Sequence, residues 1–109
     1  KRFEIDLASD ELTHKDLSVL EWGNYELPTF NPTYDGLKEN CYTYIMEMFA
    51  NQVMDENYSW DMVKYDACQE KVVGRFSSPG YLPNEGHFIP NPEGLNEDDG
   101  VLLTIAYDF

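Results

Sequence analysis

Basic residues are scarce: Lys and Arg number seven against 21 Asp and Glu, giving a net charge of −14. Phosphates are bound by Lys and Arg, so this balance argues against nucleic acid and against an anionic membrane surface as partners. No apolar run approaches the roughly 20 residues needed to span a bilayer, and no signal-peptide pattern opens the chain. In a fragment, that second absence would carry no meaning. Cysteine is equally sparse: Cys41 and Cys68 do not make a disulfide framework, and the plain reading is two reduced thiols in an intracellular protein. A single bridge stays open, because the two could sit on neighbouring strands. There is no Cys-x-x-Cys pair, and His14 and His87 keep no metal-site spacing with either cysteine, which speaks against zinc. The chain also lacks a Gly-x-Ser-x-Gly elbow and a glycine-rich loop before a helix, the signatures of a serine hydrolase and a phosphate cradle. Asn57-Tyr58-Ser59 has the N-glycosylation pattern, without a secretory context to give it weight.

What is abundant is aromatic. Eight Tyr, six Phe and two Trp in 109 residues favour strands, and 42% hydrophobic content is that of a folded chain. Phe3–Leu7 alternates apolar and polar, as a half-buried strand does. In Ala8–Val19 the apolar positions Leu12 and Leu17 are too sparse for a helix, and the segment reads as loop with one turn at most. Pro28 and Pro32 push Leu27 and Asn31 towards extended backbone, so Trp22–Pro28 reads as an extended aromatic run, with a turn at Asp35-Gly36. Cys41–Ala50 alternates with Tyr42, Tyr44, Met46 and Met48 on one side, and strand is favoured over the helical alternative. Asn51–Ser59 is polar and reads as a loop. Trp60–Asp66 and Lys71–Phe76 form the clearest local element, a hairpin with a four-residue loop. Towards the end lie two apolar runs, Gly86–Pro90 and Val101–Phe109, with an Asp99-Gly100 turn between them. Val101–Tyr107 is almost continuously apolar and predicts a strand buried on both faces. A buried strand with nothing after it suggests a piece of something larger. The fold class is all-β, with sandwich and propeller both open on pattern alone. Propeller blades take roughly 40–50 residues, so this length would cover about two.

Most of the carboxylates are solvated charge. The run from Glu93 to Gly100 invites a calcium reading, but with Gly100 as the turn glycine Leu95 and Ala106 fall at ligand positions, so a polar loop is favoured. Glu26 and Glu85 differ, each lying in an extended segment between apolar or aromatic residues. Such a carboxylate either faces water at a strand end or turns inward to a partner. His14 sits in a polar, surface-like stretch. His87 shares a strand face with Glu85, where packing is a commoner role than catalysis. Taken alone, these residues build no complete active site.

In this order, however, the segments resemble a family. Tyr25-Glu26-Leu27-Pro28, Asn31-Pro32, Cys41-Tyr42-Thr43-Tyr44, and the Asn84-Glu85…Phe88…Pro90-Asn91-Pro92 block ending in Glu97-Asp98-Asp99-Gly100-Val101-Leu102-Leu103 follow one another as in the carotenoid cleavage oxygenases. The likeness covers roughly residues 24–109 and is strongest at 81–105. It implies that residues 1–109 are part of a single seven-bladed β-propeller domain with ferrous iron (Fe2+) on its axis. In that family histidines bind the iron and glutamates behind them fix the imidazoles. Two of those glutamates match Glu26 and Glu85, which the resemblance makes metal-orienting carboxylates. Leu27 matches a wall position of the substrate tunnel. Two departures stand out: Gly86 replaces a frequent proline, and His87 replaces an aliphatic residue and matches no iron ligand. The resemblance puts the ligand histidines outside this chain, so the piece alone is expected to hold no catalytic iron, to be inactive, and to end at Phe109 inside a blade. Its exposed sheet edges would favour association. The implied activity is oxidative cleavage of a double bond in a carotenoid or related polyene by dioxygen. Retinoid isomerohydrolysis and a non-catalytic binding propeller are the alternatives. A cytoplasmic location, with peripheral membrane contact through other regions, goes with that reading.

Overall fold

A computed structural model describes residues 2–15, 24–36, 39–48, 58 and 60–108. Among these residues every regular element is a strand apart from one short 3-10 turn, and the chain is all-β. The loop expected over Asn51–Ser59 lies, apart from Tyr58, outside the described residues.

The first hairpin joins β1 (Arg2–Asp6) to β2 (Glu11–Lys15), antiparallel, with Phe3 opposite His14. At its turn the Asp6 carboxylate accepts from the Ala8 N–H at 2.8 Å, and Asp10 takes a positive φ of 56°. Within the loop expected over Ala8–Val19 this corrects Glu11–Lys15, which is strand; residues 16–19 lie outside the described residues. The half-buried strand expected over Phe3–Leu7 is instead exposed, with Phe3 61% and Ile5 66% accessible, and β2 pairs with it through backbone hydrogen bonds between exposed residues.

The centre is a four-stranded antiparallel sheet in sequential order: β3 (Asn24–Thr29), β4 (Tyr42–Met48), β5 (Asp61–Asp66) and β6 (Lys71–Phe76). β5 lies inside it and carries the core: Met62 and Tyr65 are buried and Val63 is 0% exposed. The β5–β6 hairpin is as expected. Its turn is held by Asp66, whose Oδ1 accepts from the N–H of Cys68 at 2.9 Å and of Gln69 at 2.8 Å. Between β3 and β4 the 3-10 turn Pro32–Tyr34 starts at Asn31, which is extended as predicted and accepts from the Thr33 N–H at 3.0 Å. Leu27 is not extended. It takes a φ of 52°, and the β3–β4 register shifts between Glu26 and Thr29. Pro28 has no N–H to give the ladder, so the strand bulges there and the residue before the proline absorbs the turn.

The last third makes two small sheets, β8 (His87–Pro90) with β9 (Gly100–Leu103) and β7 (Tyr81–Pro83) with β10 (Ala106–Asp108). The single buried strand expected over Val101–Tyr107 is therefore two short strands with different partners. A corner separates them: Thr104 Oγ1 donates to the Asn84 carbonyl at 2.8 Å, and the Asn84 N–H donates to the Ile105 carbonyl at 2.8 Å. Nor is the run buried on both faces, since Val101 is 62% and Ile105 70% exposed. Only Phe88 of this region reaches the core, stacking on Tyr44 at 5.3 Å between centroids. A Cβ at Gly86 would lie 3.0 Å from Leu102 Cδ1, so the glycine makes room for that leucine.

The acidic connection between β8 and β9 is a structural loop. Asp99 Oδ2 accepts from the N–H of Leu95 at 2.8 Å and of Asn96 at 2.9 Å, and the backbone bonds from Asn96 and Leu95 lower its pKa. The Glu97 carboxylate accepts from the N–H of Cys41 at 2.9 Å and of Tyr42 at 2.6 Å. Asp98 pairs with Lys64 at 2.6 Å, whose ammonium lies 4.0 Å over the Tyr42 ring. These carboxylates stitch the loop onto the start of β4 and the middle of β5.

Candidate functional site

Glu26 and Glu85 stand on different parts of the fold. Glu26 is in β3, exposed, opposite Met46 and directly before the bulge at Leu27. Glu85 is exposed on the connection from β7 to β8, where only its backbone is engaged, its N–H donating to Asn84 Oδ1 at 2.8 Å. Neither carboxylate makes a hydrogen bond or ion pair with any described residue. Leu27 is half-buried, and its left-handed backbone is a conformation that a branched side chain adopts only when its surroundings impose it.

The residues present do not fit an iron centre. His14 is on β2, 6.1 Å from the Phe3 ring, and His87 is exposed on β8, each on its own hairpin. Among the described residues the one set of three His, Cys, Asp or Glu side chains close enough to share an ion is Glu39, Cys41 and Cys68, which contains no histidine.

Two arrangements escaped the sequence reading. The first is a disulfide: Cys41, just before β4, is joined to Cys68 in the β5–β6 turn, with Cα atoms 5.1 Å apart. The expectation of two reduced thiols is thus corrected. The β4–β5 pairing brings Tyr42 opposite Asp66 and so places the residues just beyond each side by side.

The second is a polar row across one end of the central sheet. Tyr25 on β3 donates its hydroxyl to Glu47 on β4, and Arg75 on β6 bonds both Glu47 and Asp61 of β5, the latter at 2.7 Å. The Glu47 side chain is 4% and that of Asp61 7% exposed, so the guanidinium neutralises buried charge. Burial alone would weaken its hold on the proton, but the bonds to Glu47 and Asp61 outweigh this and raise the Arg75 pKa. The signal in the sequence was Glu47 itself, a carboxylate between Met46 and Met48.

The hydroxyl of Tyr25 is pushed above its usual 10.0, first by burial and then by its bond to Glu47. Tyr44 is pushed up to about 12 by burial, then by the charges of Asp98 and Glu97. The fold holds both phenols neutral, while the unfolded chain ionises near 10. Their contribution to stability is full below that pH; for Tyr44 it is lost as the pH climbs from 10.0 to about 12, and for Tyr25 the loss continues above that. The urea midpoint should fall over this window, and Tyr44→Phe should flatten the decline; an unchanged slope would contradict this origin.

The family model described as retinal pigment epithelial membrane protein matches residues 1–109. A carotenoid dioxygenase of Neurospora crassa is 32% identical over 83 residues, 76% of this chain and 13% of its own length. A chloroplastic carotenoid cleavage dioxygenase 8 of Arabidopsis thaliana is 31% identical over 81 residues, 74% of this chain and 13% of its own. The beta,beta-carotene 15,15'-dioxygenase of Mus musculus is 34% identical over 79 residues, 72% of this chain and 13% of its own. The aligned stretch thus spans about 13% of the length of the curated relatives. No solved structure matches. A match along all 109 residues, with three dioxygenases beside it, makes the chain a member of the carotenoid oxygenase family, that of the retinal pigment epithelial membrane protein.

Proposed function

We propose that this chain is part of an iron(II)-dependent dioxygenase that cleaves a double bond of a carotenoid or a related apolar polyene. The observation that carries the reading is the family match along the whole chain, beside relatives named for carotenoid dioxygenation. The chain itself contributes part of one propeller domain: β3–β6 is a sequential four-stranded antiparallel sheet, the unit from which propeller blades are made. The iron would supply dioxygen activation and would be held by histidines from other segments. Among the described residues no helix is long and apolar enough to cross a membrane.

The role assigned to Glu26 and Glu85 is to orient those histidines. A carboxylate that accepts the far ring N–H fixes the imidazole's tautomer and plane and makes its other nitrogen a better donor. The bulge at Leu27 breaks the ladder directly after Glu26, and Leu27 forms a wall against the polyene.

Glu26→Gln and Glu85→Gln in the full-length protein should each lower iron affinity or turnover by about 10–100-fold. Metal analysis after dialysis, alongside product formation, measures this. Full iron and full turnover in both variants would remove the assignment. Retinoid isomerohydrolysis, the alternative that the sequence resemblance implies, is the second reading. Labelled dioxygen separates the two: label in the product means cleavage, and product without label means isomerisation.

A further inference from the structure

The disulfide sits in surroundings that a disulfide does not require. Both cysteines are held in place by the backbone around them. The Ala67 N–H donates to the Cys41 carbonyl at 2.6 Å, Glu97 accepts from the Cys41 N–H at 2.9 Å, and Asp66 accepts from the Cys68 N–H at 2.9 Å. Cutting the sulfur–sulfur bond therefore leaves two thiols side by side. Glu39 Oε1 lies 3.6 Å from Cys68 Sγ, and one donor atom from each of Glu39, Cys41 and Cys68 falls within 4.8 Å of the others. An open cleft of ≈ 410 Å³ runs alongside, lined by both cysteines, Asp66, Glu97 and Asp98. Lys64 is the counter-charge on Asp98 there, so carboxylates outnumber ammonium groups around the sulfurs. Glu97 and Asp66 are engaged with backbone N–H groups, whereas among the described residues the one hydrogen-bonding neighbour of the Glu39 carboxylate is the Cys68 sulfur.

Thiolate sulfurs, a free carboxylate and an electronegative, water-accessible cleft are the requirements of a thiophilic divalent cation. Zinc takes Cys sulfur at about 2.3 Å and carboxylate oxygen at about 2.0–2.2 Å, and accepts a water in its fourth position. We propose that Glu39, Cys41 and Cys68 form a redox-gated site for a thiophilic divalent cation of the zinc class, closed by the disulfide and opened by its reduction. A dithiol reductant delivers two electrons and two protons to the sulfur–sulfur bond and is itself oxidised to a disulfide. The cation then displaces both thiol protons to solvent and forms two metal–sulfur bonds, with the Glu39 carboxylate as third ligand. Residues 27 positions apart carry no spacing signature for such a site. The β4–β5 register is what assembles it.

The test uses the full chain, oxidised and reduced, titrated with Cd²⁺ and with Zn²⁺. The reduced chain should take up one equivalent with a cadmium–thiolate charge-transfer band, release of protons and a raised melting temperature, while the oxidised chain shows none of these. In the reduced state Cys68→Ser should abolish the band. Glu39→Gln should weaken Cd²⁺ by at least the ~10-fold that follows loss of even an outer partner of a metal ligand. If Cys68→Ser does not fold, the contrast between oxidised and reduced wild type, with Glu39→Gln, decides alone. Equal uptake by the oxidised and reduced chains, or unaltered Cd²⁺ affinity in Glu39→Gln, overturns the three-ligand site.

Discussion

Replacing Cys41 and Cys68 together by serine should lower the free energy of unfolding by about 3–4 kcal/mol. The figure comes from the length of chain the bridge closes, a sequence separation of 27 between the two cysteines, and from nothing in the folded state. In the folded chain β4 already pairs with β5, and the bonds from Ala67, Asp66 and Glu97 hold both ends of the loop. The serine variant should therefore keep the native fold. What changes is the unfolded chain, which regains the freedom of an open loop. Urea denaturation should show a lower midpoint and a steeper dependence on urea, because the unlinked unfolded chain exposes more surface. A loss below about 1 kcal/mol would mean that the unfolded chain is already constrained in this region. Against a usual stability of about 5–15 kcal/mol the effect is large, so reduction also decides how firmly the loop carrying Glu97 is attached.

The strands with clean alternation were legible: β5 and β6 with their turn, and β4 through Tyr42, Tyr44 and Met46. β2 was not, because every residue in it is exposed and pairing of backbone alone leaves no periodicity. The run Val101–Tyr107 misled for the opposite reason. Apolar content was read as burial, whereas Val101, Leu103 and Tyr107 on the small sheets and Ile105 at the corner between them are all exposed, and the corner at Thr104 is set by a side-chain hydroxyl. Leu27 was read from its proline neighbour alone; the demand of the β3–β4 ladder proved stronger. Glu26 and Glu85 could be given a role only by resemblance, because a carboxylate in an extended segment either faces water or turns inward, and no local pattern decides which. The disulfide and the Tyr25–Glu47–Asp61–Arg75 row depend on cross-strand register, which no local pattern states.

That row supplies the second large effect. Arg75→Met keeps much of the apolar stem but removes the charge that sits between Glu47 and Asp61. Two buried carboxylates are then left facing one another without a cation. Breaking a buried ion pair in this way costs about 3–5 kcal/mol, and because the Arg75 side chain is 40% exposed the low end applies, about 3 kcal/mol. Adding Glu47→Gln should return part of the loss, since it removes one of the stranded charges, so the pair should be less than additive by about 0.5–3 kcal/mol. Raising the salt concentration should recover little, because burial shields Glu47 and Asp61 from counter-ions. An Arg75→Met variant within about 0.5 kcal/mol of the parent would be behaving as a surface substitution, and the row would then be no more than a surface contact. The row also bears on the proposed site. Tyr25 is adjacent to Glu26, and its bond to Glu47 pins β3 to β4 one residue before the bulge. Loss of Arg75 loosens Glu47, then Tyr25, then the segment that presents Glu26. In the full-length protein Arg75→Met should therefore lower iron retention as well as stability, while leaving the Glu85 side of the site as it was.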